Sequence, residues 1–298
     1  MTSVAVVGVG SVGGFFAAHA VAAGHDVSLC VRTRFDELVV ESKGAVLRSR
    51  PRIAVDPAEV PPPKWVLLAT KAHQTEGARD WLRAFDRAGT RIVVVQNGVE
   101  HLDRLRPLVD DAEIVPTVVY CGAEAIAPGH IVHRRNGFLI VAEGAAARGL
   151  TAVYEGTGAS IRATSDWTSA AWRKLCANVV ANGITAITGA RSTVMRRPDL
   201  QKLGRELVRE CAAVARAEGA QLDDDIAEQV TAQLAASPEE SGTSMLYDRL
   251  AGRPLEHDAI YGAVVRSGIR REIPTPLSEA MAALLSAVSD ASRRSVDT

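Results

Sequence analysis

The sequence predicts an α/β domain followed by an all-α domain. Up to about residue 165, short β-branched runs alternate with helical stretches, and a glycine-rich turn joins the first strand to the first helix. Beyond that point the β-rich pattern stops, and long stretches with helical periodicity follow. A chain of 298 residues is long enough for about two domains. We therefore predict domains of residues 1–165 and 166–298.

Charge and cysteine usage exclude several classes of function. Lysine and arginine together number 34 against 35 aspartates and glutamates, which gives no reason to expect nucleic acid or a membrane as partner. The N-terminus lacks the features of a signal peptide, and no apolar run approaches the ~18 residues needed to cross a bilayer. The four scattered cysteines indicate reduced thiols of a cytoplasmic protein: Cys30, Cys121, Cys176 and Cys211.

The first strand, predicted over residues 3–7, runs into a glycine-rich turn. A helix over residues 15–23 and a strand over residues 25–31 follow, so the segment is a βαβ unit with G-x-G-x-x-G at its first turn. Gly8 allows the tight turn, Gly10 lets the backbone approach a pyrophosphate, and Gly13 lets the helix lie close to the strand. The predicted contacts with a dinucleotide are Gly8, Val9, Gly10, Ser11, Val12 and Gly13.

The residues after the second strand indicate which dinucleotide is bound. Proteins that bind NAD usually place an acidic residue there to hold the ribose 2′-hydroxyl. This strand ends in Cys30-Val31-Arg32-Thr33-Arg34, and a guanidinium can form paired hydrogen bonds with a 2′-phosphate. We therefore predict NADPH/NADP+ as cofactor, with Arg32 as the main contact and Arg34 as a helper. The alternative is that both are ordinary surface arginines.

The middle of the domain is predicted to add further strands. A helix and a turn are predicted over residues 36–50, a minor strand over 52–55 and a proline-rich connector over 57–63. Buried strands over 65–70 and 91–95 follow, and then a strand over 113–120. Residues 129–133 and 138–142 are predicted to form an antiparallel pair, residues 145–156 a helix and residues 159–163 a last strand. His130 and His133 lie on the antiparallel pair without a third ligand, so we predict no metal site.

Polar residues follow two of the buried strands. Lys71-Ala72-His73-Gln74 comes after the strand over 65–70, and Gln96-Asn97-Gly98 after the strand over 91–95. Open α/β sheets bind ligands at the carboxyl ends of their strands. Lys71 is therefore expected to contact cofactor phosphate or ribose, and Asn97 the nicotinamide or the substrate. Each alone could also be a capping or turn residue.

The second half of the chain is predicted to be helical. The predicted helices cover residues 167–188, 199–219, 223–236, 244–251, 255–268 and 276–291, and Thr164-Ser165-Asp166 offers N-caps for the first. The run Asp223-Asp224-Asp225 is typical of a helix N-terminus and is not interpreted as a metal site. Apolar faces of these helices would suffice for a homodimer, although core packing explains them equally well.

Three polar residues recur every four positions in the first of these helices. Lys174, Asn178 and Asn182 would therefore lie along one side of it, one turn apart. An ammonium and two carboxamides in a line suit a small acid that carries a carbonyl. A solvated helix face is the alternative, but the adjoining faces are apolar or small, and Asn is a weak helix former. Ser244 could cap a later helix or hold a carboxylate, and Glu256 could be an ordinary first-turn acid.

Taken together, these motifs resemble the ketopantoate reductase (2-dehydropantoate 2-reductase) family. The matching features are the glycine turn, the Thr-Lys after a strand, Gln96-Asn97-Gly98, Trp-x-Lys-Leu-x-x-Asn-x-x-x-Asn at 172–182, Ser-Met-Leu at 244–246 and Glu256. They span residues 4 to about 275 in the family's order and spacing. The resemblance implies a Rossmann domain, a helical domain and an active site in the cleft between them. It also implies NADPH-dependent reduction of a small-molecule 2-keto acid to a 2-hydroxy acid.

The resemblance also implies roles for single residues. Lys174 would be the general acid that protonates the keto oxygen, and Glu256 would steady Lys174 and lie near the nicotinamide ribose. Asn97, Asn178, Asn182 and Ser244 would bind the substrate, with Asn97 also touching the cofactor. Lys71 and Arg32 are assigned to the cofactor by their positions after strands. The chain departs from the family at Gly183, where proline is frequent, and at His73, Gly189 and Ser241.

Because of these departures, two substrates stay possible. One is ketopantoate, which the family reduces in pantothenate biosynthesis, and the other is a related 2-keto acid, if the chain is a paralogue. Two other functions are alternatives. One is another reductase that joins a Rossmann domain to a helical domain, of the β-hydroxyacid or imine type. The other is a catalytically silent protein that senses NADPH. A proton donor among substrate-binding amides disfavours the sensor, which would need none.

Overall fold

The computed structural model describes residues 1–239 and 241–294. The chain divides into two compact units, Met1–Trp167 and Thr168–Thr298. None of the four cysteines, which all lie in the described part, forms a disulfide. No helix in the described residues is both long and apolar enough to cross a membrane.

The first unit is built on a 10-stranded sheet. Its strands lie in the order β4-β3-β9-β8-β7-β6-β1-β2-β5, and β10 pairs with β9. The strands are β1 (Ser3–Val7), β2 (Asp26–Cys30), β3 (Leu38–Ser42), β4 (Ala45–Ser49), β5 (Arg52–Ala54), β6 (Trp65–Leu68), β7 (Arg91–Val94), β8 (Glu113–Ala127), β9 (His130–Ala142) and β10 (Ser160–Thr164). The helices are α1 (Ser11–Ala22), α2 (Arg79–Phe85), α3 (His101–Leu105) and α4 (Ala145–Val153).

Helices cover both faces of the parallel part of this sheet. Neighbouring strands from β5 to β8 all pair in parallel. In β1, Val4 and Val6 pack in one cluster with Phe15 of α1, while Ala5 and Val7 pack in the other. That second cluster includes apolar residues of α2 and α3. Because both faces are buried, β1, β6 and β7 are almost continuously apolar, and this is why the sequence reveals them.

The prediction of a helix over residues 36–50 is wrong, because this segment forms the hairpin of β3 and β4. Leu38, Val39 and Val40 are buried, and β3 pairs in parallel with β9, a strand far away in the sequence. Gly44, with φ of +83°, makes the turn between β3 and β4. Tertiary pairing of a β-branched run therefore overrides the local helical pattern.

The predicted antiparallel pair of residues 129–133 and 138–142 is also wrong. Both segments belong to the single strand β9, which pairs antiparallel with β8. β8 continues to Ala127, well beyond the predicted end at residue 120. Register shifts interrupt the β8–β9 pairing near Gly122, and Asn136 has φ of 53°. These irregularities break the two-residue alternation that a sequence pattern needs.

The second unit is helical. It contains α5 (Trp167–Thr188), α6 (Pro198–Ala217), α7 (Ile226–Ala235), α8 (Ser244–Leu250), α9 (Ala263–Arg270) and α10 (Pro276–Arg294), with the first residue of α5 counted in the first unit. The helix predicted over residues 255–268 is divided, because a π-helical turn at Asp258–Gly262 precedes α9. The run Asp223-Asp224-Asp225 precedes α7 instead of forming its first turn.

Candidate active site

The glycine turn after β1 has the shape that a dinucleotide requires. Gly8 has φ of +93°, and a Cβ there would lie 2.7 Å from the backbone nitrogen of Thr70. A Cβ at Gly13 would lie 2.1 Å from the carbonyl oxygen of Gly8, so α1 can approach β1 only without a side chain at this position. A Cβ at Gly10, in contrast, would meet no described atom within 4 Å. The turn is therefore tight on the protein side and open at Gly10.

The start of α1 lies at this open position. Gly10 is the N-cap residue, and no side chain among the described residues caps the helix. The backbone N–H groups of a helix's first turn attract anions, since they lack partners within the helix. The first turn of α1 contains no acidic residue that would repel a phosphate. The geometry at Gly8, Gly10 and Gly13 thus fits a pyrophosphate.

The ends of β6 and β7 are joined by Gln96. Its buried amide nitrogen lies within hydrogen-bonding distance of three oxygen atoms: the Thr70 carbonyl at 3.0 Å, the Thr70 hydroxyl at 3.1 Å and the Thr75 hydroxyl at 3.0 Å. Lys71 lies half-buried between these partners in the chain, and Asn97 follows Gln96 directly. Arg104 of α3 donates a hydrogen bond to the Asn97 carbonyl at 3.3 Å. Gln96 therefore sets the spacing between the loops that carry Lys71 and Asn97.

The two arginines after β2 differ in what they contact. The Arg34 guanidinium contacts the Glu59 carboxylate and donates to the Ile53 carbonyl. The hydrogen bond from Arg34 lowers the pKa of Glu59. Arg32 is exposed and makes no hydrogen bond or ion pair with a residue that the structure describes. Arg32 is thus available for a phosphate, whereas Arg34 already has partners within the protein.

In the second unit, α5 places the three polar residues as the spacing predicts. Lys174 and Asn178 are half-buried, and Asn182 is 5% exposed. The Asn182 Oδ1 accepts hydrogen bonds from the Ser244 hydroxyl and from the Met245 backbone N–H, each at 3.4 Å. The structure therefore brings Asn182 and Ser244 together although they are distant in sequence.

Glu256 lies in the segment between α8 and the π-helical turn, where it is 5% exposed. A buried carboxylate is unusual for an ordinary first-turn acid, whose side chain normally reaches solvent. Its burial distinguishes Glu256 from Asp258, which is exposed and pairs with Arg266 at 2.7 Å.

Tyr261 explains why glycine follows Asn182. The Tyr261 hydroxyl donates to the Val179 carbonyl, and a Cβ at Gly183 would lie 1.7 Å from that hydroxyl oxygen. Burial raises the pKa of the Tyr261 phenol above its usual range. The space that a larger residue at position 183 would need is thus filled by Tyr261. The sequence alone gives no role to Tyr261 or to Gln96, which it shows only as part of a motif, because neither stands in a pattern that signals its partner.

The histidines of β9 have structural partners. His130 pairs with Glu41 at 2.8 Å, and the ring of His133 packs against Phe15 at a tilt of 32°, with centroids 4.4 Å apart. Among the described residues, no group of three or more His, Cys, Asp or Glu side chains is placed to hold a metal.

Comparison with known proteins assigns the chain to a family. Residues 4–146 match the family model described as ketopantoate reductase PanE/ApbA, and residues 166–289 match the model of its C-terminal part. The chain belongs to the ketopantoate reductase family. The resemblance seen in the sequence is thereby confirmed, and so is the predicted order of an α/β domain and an all-α domain.

Other ketopantoate reductase family members match over nearly the whole chain. A 2-dehydropantoate 2-reductase of Mycobacterium tuberculosis is 40% identical over 296 residues, which cover 97% of this chain and 98% of the relative. One of Caulobacter vibrioides is 38% identical over 288 residues, or 96% of this chain and 99% of the relative. A solved PanE/ApbA family ketopantoate reductase from Ralstonia eutropha has a TM-score of 0.89 at 29% identity, covering 97% of this chain and 99% of that one. The family consists of pyridine-nucleotide dehydrogenases.

Proposed function

We propose that the protein reduces a 2-keto acid to a 2-hydroxy acid with NADPH, and that 2-dehydropantoate is its substrate, in pantothenate biosynthesis in the cytoplasm. The observation that carries this proposal is the row of Lys174, Asn178 and Asn182 on α5, with Asn182 bonded to Ser244 of α8. A proton donor among amide and hydroxyl groups suits a carbonyl with a neighbouring carboxylate. Relatives at 40% and 38% identity that are named 2-dehydropantoate 2-reductase support the choice of substrate.

Residues of the first unit would hold the cofactor, so we assign residues 1–165 as the NADP-binding domain and 166–298 as the catalytic domain. The turn from Gly8 to Gly13 would receive the pyrophosphate, because Gly10 is open and the N-terminus of α1 is uncapped by side chains. Arg32 would bind the 2′-phosphate that distinguishes NADPH from NADH. Lys71 and Asn97, fixed by Gln96, would contact phosphate or ribose and the nicotinamide end. When bound, NADPH supplies the hydride that the carbonyl carbon receives.

Lys174 would act as the general acid. A lysine ammonium is charged at neutral pH, so it can donate a hydrogen bond to the keto oxygen before reaction. As the carbonyl carbon accepts hydride, the oxygen gains negative charge, and the ammonium then transfers a proton to it. One hydride and one proton together convert the ketone into a secondary alcohol. Glu256 would steady the charge of Lys174 and contact the cofactor ribose.

Asn178, Asn182 and Ser244 would orient the substrate. Amide and hydroxyl groups at fixed positions bind a carboxylate or a carbonyl oxygen without adding charge. Asn182 is suited to this role because α8 fixes its side chain. Asn97 would touch both the substrate and the cofactor.

The departures at Gly189 and Ser241 bear on the substrate. Gly189 has φ of +70° and ends α5, and a Cβ there would lie 3.3 Å from the Arg249 guanidinium. The Ser241 carbonyl accepts a hydrogen bond from the Ser192 backbone N–H at 2.9 Å. The positive φ of Gly189 favours glycine whatever the substrate, whereas the bond at position 241 is made by the backbone and does not depend on the serine side chain. The turn thus explains Gly189, and the Ser241 bond does not explain Ser241.

The test is the loss of NADPH absorbance with 2-dehydropantoate and a panel of other 2-keto acids. We expect turnover with 2-dehydropantoate, and a higher kcat/KM on another keto acid would move the protein to that substrate. Absence of turnover with every keto acid would reject the proposed reaction.

We further propose a homodimer. The second unit exposes three large apolar side chains, Leu250 (67%), Ile269 (71%) and Leu284 (54%), which a second copy of the chain would cover. Analytical ultracentrifugation should give twice the chain mass of 31.6 kDa. A sedimenting monomer at micromolar concentration would reject the dimer.

A further inference from the structure

The second half of α5 and the whole of α8 are joined at three points. Asn182 accepts hydrogen bonds from Ser244 and Met245 at the start of α8. One turn later along α5, the Thr185 hydroxyl lies 2.7 Å from the hydroxyl of Thr243, the N-cap of α8. At the other end of α8, Arg249 reaches the end of α5. The two helices are thus joined along a segment that begins at a proposed substrate residue.

The two threonines form a directed chain of hydrogen bonds. Thr185 donates its hydroxyl proton to the Ala181 carbonyl at 2.7 Å, so in its contact with Thr243 it can only accept. The Thr243 hydroxyl therefore donates to Thr185, and it accepts from the Leu246 backbone N–H at 3.2 Å. Thr185 is fully buried, and loss of its hydroxyl would leave Thr243 without this acceptor.

Arg249 secures the opposite end of α8. Its guanidinium donates to the carbonyls of Ala186 and Ile187, and the second distance is 2.8 Å. These carbonyls belong to the last turn of α5, where helix carbonyls lack partners within the helix and the macrodipole favours a cation. The positive φ of Gly189 lets the chain turn away beside this guanidinium. Arg249 thus satisfies the end of α5 and holds α8 to it.

This arrangement fixes which atom of Asn182 points away from α8. A backbone N–H can only donate, so the atom that faces Met245 must be the amide oxygen and not the amide nitrogen. The Nδ2 group makes no hydrogen bond to a described residue. Asn182 therefore offers two N–H donors, which recognise a hydrogen-bond acceptor such as a carboxylate or keto oxygen.

We propose that Thr185, Thr243 and Arg249 are positioning residues, which hold α8 on α5 so that Asn182 presents its amide nitrogen to an oxygen atom of the substrate. They touch neither substrate nor cofactor, and they act through Asn182 and Ser244. The proposal rests on the keto acid reduction proposed above. It predicts that loosening α8 weakens substrate binding and leaves cofactor binding unchanged.

Thr188 provides a matched control on the same helix. Its hydroxyl donates to the Ile184 carbonyl at 2.7 Å, the same local bond to the fourth preceding residue that Thr185 makes. It also accepts from the Ala190 N–H, and it makes no hydrogen bond to α8 in the described residues. Thr188→Val therefore removes a side-chain hydrogen bond of the same kind within α5 and leaves the hydrogen bonds between α5 and α8 intact.

The experiment compares Thr185→Val, Thr185→Ser and Thr188→Val in the full-length protein. For Thr185→Val we expect the KM of the keto acid to rise on the order of tenfold, since a buried hydroxyl pair is broken. The Kd of NADPH, from its fluorescence, should stay within about twofold, which a general loss of structure would not allow. Thr185→Ser keeps the hydroxyl and should restore the KM, and Thr188→Val should resemble the wild type.

Hydrogen exchange at the backbone amides of Met245 and Leu246 reports how firmly α8 is held on α5, and it does not depend on measuring enzyme activity. We expect faster exchange of both amides in Thr185→Val than in Thr188→Val. Equal KM and equal exchange in the two variants would overturn the proposal. If the wild type reduces no keto acid, the proposed function fails, and the exchange rates still decide whether Thr185 holds α8. Unchanged exchange together with a raised KM would also contradict a role through α8.

Discussion

Two regions of the molecule hold their functional groups in different ways: the glycine turn after β1 in the first unit, and the α5–α8 pair in the second. At the glycine turn, backbone shape dominates, because Gly8, Gly10 and Gly13 define a turn that is closed on one side and open on the other. On α5 and α8, side chains fix other side chains: the Ser244 hydroxyl donates to Asn182, and the Thr243 hydroxyl to Thr185. We infer that the first region sets affinity for the cofactor and the second sets recognition and protonation of the substrate.

The largest effect is expected for Lys174→Ala. Loss of the general acid should remove at least about 2 kcal/mol of transition-state stabilisation, a fall of more than roughly 30-fold in kcat. The Kd of NADPH should stay close to that of the wild type, because the residues proposed to bind the cofactor's phosphates, Gly8 to Gly13 and Arg32, lie in the first unit. Arg173→Ala is the matched control, since Arg173 is the neighbouring cation and forms an exposed ion pair with Asp223. Near-normal kcat in Lys174→Ala would exclude it as the acid.

Gly10→Ala tests whether the open side of the turn receives the cofactor. The added methyl group meets no described atom within 4 Å, so the melting temperature of the free protein should not change. A cofactor bound at the turn would clash with this methyl group. The expected loss is about 10- to 100-fold in NADPH affinity, by isothermal titration calorimetry. Gly13→Ala should instead lower the melting temperature, because its methyl meets the Gly8 carbonyl. Unchanged NADPH affinity in Gly10→Ala would place the cofactor elsewhere.

Arg32→Ala should distinguish the two nicotinamide cofactors. Loss of a charged hydrogen bond at an exposed site should weaken NADPH by about tenfold and NADH much less. Arg34→Ala is the comparison, and it should act mainly on stability because Arg34 is held by Glu59. The measurement is kcat/KM for each cofactor with each variant. Equal losses for NADPH and NADH in Arg32→Ala would reject the phosphate contact.

The smallest effect is a pH dependence confined to the first unit. Burial, together with the nearby charge of His133, lowers the pKa of His19 from 6.5 to about 4. As the pH drops from 6.5 towards 4, the unfolded chain binds a proton at His19 and the folded chain does not. The free energy of unfolding therefore falls over this range. Because His19 lies on α1, hydrogen exchange at pH 5 should rise in α1 before α5. The faster exchange of α1 at pH 5 should persist in His130→Gln and disappear in His19→Gln. The same pH dependence of α1 exchange in both variants would exclude His19 as its cause.

The regions also differ in how far the sequence predicts them. The βαβ unit with its glycine turn follows from residues adjacent in the chain, and so do the bounds of α5. The β3–β4 hairpin does not, because its strand β3 is fixed by pairing with β9. Partners such as Val179 and Tyr261 are 82 positions apart, and no spacing rule connects them.

The candidate site shows the same limit. The types and spacing of Lys174, Asn178 and Asn182 are visible in the sequence, and their roles remain predictions. What fixes the side chains is visible only in three dimensions: Gln96 between two strand ends, and Thr243 against Thr185. Local patterns therefore indicate the kind of chemistry, whereas the orientation of an amide such as Asn182 depends on residues about sixty positions away.

The most direct test of the account is the fate of the cofactor's hydrogen. The protein would be given NADPH deuterated at the transferring position of the nicotinamide, with 2-dehydropantoate in ordinary water. We expect NMR of the product to show one deuterium on carbon 2 of the 2-hydroxy acid, because the C–H bond formed there receives the cofactor's hydrogen and does not exchange with water. Absence of a hydroxy acid, or a product without deuterium at carbon 2, would contradict the proposed reduction.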